Sequence, residues 1–275
     1  MFVLPACLFY AAFVLWPLVH TVALGAFGEG APAGGHFVRL LRDERFYKAL
    51  SNNGLLVVMS LVVQLPLAMG LALLLTGRLP GRGLLRTVYF APMIVPTAAI
   101  GFLWQFIYAP LQQHGLLNEL LDAVGLGAFD WLGDPGTDIF AIIVTVSWRY
   151  IGFHTVIFMA GLESIPGEIY EAARIDGASE WQAFRDITLP MLRRVIAISA
   201  TLSIIGSLKY FDIFFIMSRG GGTQGSTELV TTYVYRQAFD AGQPGYASAL
   251  AVALLVVTVA VAIPAMRLLH GRRES

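Results

Sequence analysis

The sequence predicts an all-α fold of six membrane-spanning helices, and three observations carry that prediction. Of its 275 residues 57% are hydrophobic and only 13% are charged, about half the charge of a typical soluble domain. Mean hydropathy is +0.70. Six stretches reach the roughly 20 mostly apolar residues needed to cross about 30 Å of hydrocarbon as a helix.

The spans are residues 1–27, 55–75, 88–111, 139–162, 195–217 and 246–266, within a single transmembrane domain covering 1–275. The first, second, third and sixth contain no Asp, Glu, Lys or Arg, the fourth contains only Arg149, and the fifth contains Lys209 and Asp212. The first is too long for a signal-peptide core and no basic residue precedes it, so it is read as a retained helix.

The loops set the orientation. Arg78, Arg82, Arg86, Arg174, Arg185, Arg193, Arg194, Arg267, Arg272 and Arg273 fall on one side, ten in all, against six on the other. An excess of Lys and Arg marks the cytoplasmic face, which places both termini in the cytoplasm. The outer side carries two contrasting segments. Residues 38–50 alternate apolar residues with Arg39, Arg42, Arg45 and Lys48 and are expected to lie on the membrane surface. The loop 112–138 carries Glu119, Asp122, Asp130, Asp134 and Asp138 and no basic residue. Facing a partner protein and being merely solvated are equally open readings for it.

Composition excludes several classes of function. A net charge of +0 gives no pull toward nucleic acid, and the single Cys7 permits neither an intrachain disulfide nor a multi-cysteine metal site. The Gly-rich run 219–226 lacks the lysine of a phosphate-binding loop. The histidines at 20, 36, 114, 154 and 270 lack metal-ligand spacing. No catalytic constellation stands out, and no cofactor or metal site is read from the sequence.

The informative polar segment is 163–194 on the cytoplasmic face. Pro166 and Gly167 open a short helix with Glu168 and Glu171 in its early turns, where the helix dipole favours negative charge. Gly177 interrupts it, and Ser179 with Gln182 supplies a capping box for a second short helix. There Ala178, Trp181 and Phe184 share a face at three-residue spacing, and Pro190 marks the return to the membrane. An elbow with protruding aromatic residues is poorly explained by the folding of this chain alone; it has the form of a plug for another protein.

These residues also carry a family resemblance. The run from Glu171 to Ala178 (EAARIDGA), followed by Phe184, Ile187, Leu189 and Pro190, resembles the EAA loop of ABC-importer permeases. From about Leu50 to the C-terminus the chain is similar to the carbohydrate-uptake branch and, within it, to the larger (F-type) permeases of the maltose-transporter family, without their extra helices and outer domain. Supporting segments are Gly115-Leu116-Leu117-Asn118, residues 148–153, Ala160-Gly161-Leu162 leading to Ile165-Pro166, and Phe211-Asp212 followed by Ser218-Arg219-Gly220-Gly221. The chain departs from the family in having Gly222 where proline is usual and no short basic tail before the first helix.

The resemblance implies a type I ABC-importer fold in a bacterial or archaeal cytoplasmic (inner) membrane. It makes Glu171, Ala172, Ala173, Asp176, Gly177, Ala178, Phe184 and Pro190 coupling residues, with Trp181 and Phe184 as apolar anchors and Gly177 at the bend. The implied partners are a second homologous permease, two ATP-binding subunits carrying ATP and Mg, an extracytoplasmic substrate-binding protein contacting the outer loops, and membrane lipid. The implied sugar-contacting positions fall near Tyr150, Phe153, Ser203, Ser207 and Tyr210; the last three also share a helix face at spacings of four and three. The carried solute is expected to be a sugar or oligosaccharide, with a glycerol phosphodiester or polyol as the alternative. Arg149, Lys209 and Asp212 are ionisable groups inside spans and need partners. A structural or gating ion pair among them is expected, Lys209 with Asp212 locally or Arg149 with Asp212 across the bundle. The competing class is an ion-coupled secondary transporter using these charges as a relay, which leaves the elbow unexplained and lacks the internal repeat common in such proteins.

Overall fold

A computed structural model of the chain describes residues 3–76, 81–218 and 221–270. Arg78, Arg219, Gly220, Arg272 and Arg273, used above for orientation or motif, lie outside them. Every regular element among the described residues is helical. We name α1 (Leu4–Phe27), α2 (Gly35–Leu40), α3 (Glu44–Thr76), α4 (Arg82–Ile94), α5 (Thr97–Ile107), α6 (Leu116–Ala123), α7 (Asp138–Glu163), α8 (Gly167–Ile175), α9 (180–208), α10 (Asp212–Met217), α11 (Val230–Tyr235) and α12 (Pro244–His270).

Five apolar helices are long enough to cross a membrane by themselves, and α4 with α5 supplies a sixth crossing only if the pair is taken as one span. Residues 88–111 are therefore not the straight helix expected: α4 and α5 meet at 101°. The cause is local. Pro96 disfavours helical backbone at the residue before it, and Val95 is extended at ψ 135°.

Prolines elsewhere are absorbed rather than obeyed. Ala11–Leu15, Ser60–Gln64 and Phe184–Thr188 are π-turns, each ending two residues before a proline, at Pro17, Pro66 and Pro190. Proline removes one N–H from the helical ladder, and widening the preceding turn re-routes the bonds without breaking the helix.

The elbow differs from expectation in the same way. Its first helix, α8, is short, but the second runs through Pro190 without a break into the fifth span. That span is in turn not continuous to Met217: α9 stops at Leu208 and α10 starts at Asp212.

The core of the bundle is α3, α7 and α9, with α4 against α7, α5 against α10, and α1 against α12. Gly152 lets α4 approach α7 closely, since a Cβ there would lie 2.0 Å from the Tyr89 carbonyl oxygen. α1 touches the bundle along α12, with the backbone of Ala249 close to Gly25 and Gly245 close to Gly28. The start of α1 and the end of α12 consequently share the elbow's side of the bundle.

At the opposite end, residues 38–50 do not form one surface-lying segment. Asp43 caps α3 by accepting from the Arg45 backbone N–H at 2.9 Å, and Leu40, Phe46 and Ala49 are buried against Tyr233 and Tyr246. Asp43 also accepts hydrogen bonds from the hydroxyls of Tyr233, at 2.6 Å, and Tyr246. Across this face, buried Asn118 organises the acidic loop: Nδ2 donates to the carbonyls of Ala109 and Phe129, and Oδ1 accepts from Phe129 N and Trp131 Nε1.

Burial pushes the Asp43 carboxyl upward, but the two tyrosine hydroxyls and the cap N–H bonds outweigh it and leave its pKa below the usual carboxylate value. A depressed pKa contributes stability that is present above the unfolded-chain value and is lost as pH falls through the folded one. Asp43→Asn should lower the melting temperature in detergent at neutral pH, and the difference from the unsubstituted chain should shrink as pH falls below the ordinary carboxylate range. A difference independent of pH would contradict this.

Candidate functional site

The break in the fifth span creates the site. α9 ends at Leu208, with Lys209 as its C-cap, and Phe211 leaves helical geometry at φ −140°, ψ −59°. Within a bilayer the carbonyls freed by such a break need partners inside the protein. The Asn53 amide on α3 supplies them, donating to Ser207 O at 3.1 Å and Leu208 O at 3.2 Å, while its Oδ1 accepts from Val230 N at 3.0 Å. Thr231 Oγ1 donates to the Tyr210 carbonyl. Asn53 is fully buried, so one side chain ties α3, the break and α11 together.

Beside the break lies a cavity of about 400 Å³ between α3, α4, α7 and α9. Tyr150, Phe153, Ser203, Ser207 and Tyr210, the five residues singled out from sequence, all line it. The Tyr150 and Tyr210 rings meet edge to face at 6.1 Å. Ser60 and Gln64, not anticipated, line it too, with Ser60 Oγ donating to Gln64 Oε1 at 2.9 Å and hydrogen-bonded to Ser203 Oγ. Both sit in the π-turn before Pro66. His154 lines the cavity and its Nδ1 lies 2.7 Å from Ser199 Oγ. The wall combines aromatic faces with hydroxyl and amide groups, a composition suited to a polyhydroxylated solute. No group of His, Cys, Asp or Glu that could hold a metal ion occurs among the described residues.

The expected ion pairs are not formed. Among the described residues no salt bridge joins Arg149, Lys209 or Asp212 to any acidic or basic partner. The spacing argument assumed one helix face, whereas the break places Lys209 and Asp212 on separate helices. Both line the cavity.

The elbow is the second candidate site. α8 ends in a Schellman turn: Ala178 N donates to Ala173 O at 2.9 Å and Gly177 N to Arg174 O at 3.1 Å, with Gly177 left-handed at φ 80°. That conformation costs a residue with a Cβ about 1–2 kcal/mol. The Ser179–Gln182 capping box then starts α9. Glu171, Ala172, Asp176, Gly177 and Pro190 are exposed, and Ala173, Ala178 and Phe184 are partly covered. Trp181 is 67% exposed and its ring lies 5.5 Å from that of Phe184. Ile175, not singled out from sequence, is 87% exposed and is the most solvent-accessible large apolar side chain of the elbow. Its signal was available, an isoleucine in the last turn of a short polar helix.

The family model for the inner membrane component of binding-protein-dependent transport systems matches residues 64–274. The chain belongs to this permease family. Among its relatives, the probable ABC transporter permease protein YurN of Bacillus subtilis is 33% identical over all of this chain and 96% of its own length. The lactose transport system permease protein LacF of Rhizobium radiobacter is 32% identical, covering 100% and 93%. The trehalose/maltose transport system permease protein MalF of Thermococcus litoralis is 32% identical, covering 87% and 80%. A crystal structure of a bacterial ABC transporter that imports the acidic polysaccharide alginate superimposes with a TM-score of 0.89, at 23% identity, over 99% of this chain and 95% of that one. The permease fold thus extends over the whole chain, α1 included.

If Asn53 holds the break, removing its amide leaves the Leu208 carbonyl and the Val230 N–H unsatisfied, each costing about 1–3 kcal/mol, and leaves Ser207 O with only the Tyr210 N–H at 3.4 Å. Asn53→Ala should lower the melting temperature of the purified chain well beyond the effect of Asn52→Ala, whose amide bonds Ser226 O and Glu228 O. Equal losses would show that the break is held elsewhere.

Proposed function

We propose that this permease forms one half of the translocation path of an ATP-driven importer for a sugar or oligosaccharide, with the cavity beside residues 209–211 as its solute site and the elbow as its connection to ATP hydrolysis. One observation carries the reading: the five aromatic and hydroxyl side chains converge on one cavity whose wall includes α9, and α9 begins at the exposed elbow. The carbohydrate relatives support the choice of solute class.

The described residues contain one elbow. A transporter driven by two ATP-binding subunits needs two, so a second homologous permease completes the membrane unit. ATP and Mg belong to those ATP-binding partners; this chain's contribution is non-catalytic. An extracytoplasmic binding protein delivers the solute to the face carrying α2, α6 and the Asn118-organised loop, and both chain termini lie with the elbow on the cytoplasmic side. Ile175, Trp181 and Phe184 supply the apolar contact with the ATP-binding subunit, around which the remaining elbow residues Glu171, Ala172, Ala173, Asp176, Gly177, Ala178 and Pro190 set the shape. Central, desolvated aromatic anchors of this kind dominate most protein interfaces.

The test is affinity purification of the tagged chain in mild detergent, with and without Gly177→Asp, followed by mass identification and an ATPase assay. An ATPase should co-purify with the unsubstituted chain and be lost from the variant, while the second permease is retained in both. Recovery of the folded chain without any ATPase would defeat the proposal.

A further inference from the structure

We infer that Gln64 on α3 is a specificity-determining residue of the cavity: paired with Ser203 on α9, it reads the hydroxyl groups of a sugar, Gln64 Nε2 donating to them and Ser203 Oγ accepting from them. The inference rests on the cavity being the solute site and goes beyond it in naming the contact that tells one sugar from another.

Gln64 and Ser203 are 4% and 6% exposed, and both line the cavity. They are joined through Ser60, which sits one turn before Gln64 in the π-turn of α3. Ser60 Oγ donates to Gln64 Oε1 at 2.9 Å and is also hydrogen-bonded to Ser203 Oγ. A hydroxyl has one proton to give. Ser60 gives its proton to Gln64, so Ser203 must be the donor in the second bond. The chain of bonds therefore runs from Ser203 through Ser60 to Gln64, and each link polarises the next.

This leaves one unused group at each end. At one end, Gln64 Nε2 has no hydrogen-bond partner among the described residues, and unlike the guanidinium of Arg149 it is not sealed inside the protein. At the other, Ser203 has spent its proton and keeps lone pairs that can only accept. Because both ends are held on the same Ser60 hydroxyl, the donor and the acceptor sit side by side. A tie between α3 and α9 needs only the Gln64 carbonyl oxygen; the NH₂ group is surplus to it.

A hydroxyl both accepts and donates, so neighbouring hydroxyls on a sugar ring satisfy this pair together, while Tyr150 and Phe153 offer aromatic faces to the ring itself. A site that hydrogen-bonds a particular hydroxyl discriminates strongly against a solute that lacks it, because its own polar groups are then left unpaired. Gln64 is suited to that task, since its amide is already fixed by Ser60 before any solute arrives.

The experiment uses the complete importer complex in detergent without its binding protein, titrated calorimetrically with maltose, trehalose, lactose and cellobiose, and then with the monodeoxy derivatives of whichever binds most tightly. Gln64→Met, which keeps the length of the side chain and removes its donor, should weaken that sugar roughly fivefold or more. At least one monodeoxy derivative should bind the unsubstituted complex several-fold more weakly than its parent, and should bind Gln64→Met as well as the parent does. A residue that only tied α3 to α9 would leave every such deoxy penalty in place. If Gln64→Met does not assemble, Ser203→Ala serves: it removes the acceptor and should cancel a deoxy penalty in the same way. Unchanged affinity of the parent sugar, or deoxy penalties that all persist in the variant, overturns the inference alone. Binding of none of the four sugars by a complex that retains its ATPase overturns the reading of the cavity as well.

Discussion

The structure depends on how the carbonyls released at residues 207–210 are satisfied where water is scarce. A helix crossing a bilayer meets all its backbone hydrogen-bonding needs internally; a helix that stops inside it does not. Asn53 and Thr231 take up that deficit from two other elements. The result is an opening between α7 and α9 with a polar wall, positioned by a side chain that does not itself line it. Function and stability are therefore joined at one buried amide.

The same helix that ends at the break begins at the elbow. From Phe184 to Ser207 α9 spans about 35 Å at 1.5 Å per residue, with its proline accommodated by a π-turn instead of a kink. One continuous helix thus joins Trp181 to the serines of the cavity wall. The outer halves form a separate pair: α5 packs on α10, with Gln105 Nε2 donating to the Ile216 carbonyl at 2.8 Å. The breaks at Val95–Pro96 and at 209–211 separate that pair from α4 and α9. Two crossings are thus each divided into an inner and an outer piece, with the cavity beside the breaks, while α3, α7 and α12 run through unbroken.

Much of this was legible in the sequence. Five of the six spans and the elbow's turn and cap followed from hydropathy, Gly177 and the Ser179–Gln182 box, each a local signal with a local cause. The five cavity residues were found through family resemblance and helical spacing together. What was not legible is non-local. Pro96 could have suggested a bend in the third span, but an apolar run of ordinary length hid it. Nothing near Tyr210 announces a break, because its cause lies in Asn53, more than 150 residues earlier. Ser60 and Gln64 did carry a signal, as uncharged polar residues in an otherwise apolar span. The expected local pair of Lys209 with Asp212 failed for the same reason as the continuous fifth span, since both assumed one helix where there are two.

If ATP hydrolysis in the partners moves a solute through this cavity, as proposed, the cavity must be reached from opposite sides of the membrane at different stages of the ATP cycle. Gly206 lines it, and a Cβ placed there meets nothing within 4 Å. The most direct measurement is the alkylation rate of Gly206→Cys, with Cys7→Ser, by a membrane-impermeant maleimide in the full importer complex in oriented vesicles. The account predicts labelling from the elbow side without nucleotide, and labelling from the outer side when the complex is trapped with ATP and its binding protein. Labelling from a single side in both states would contradict it.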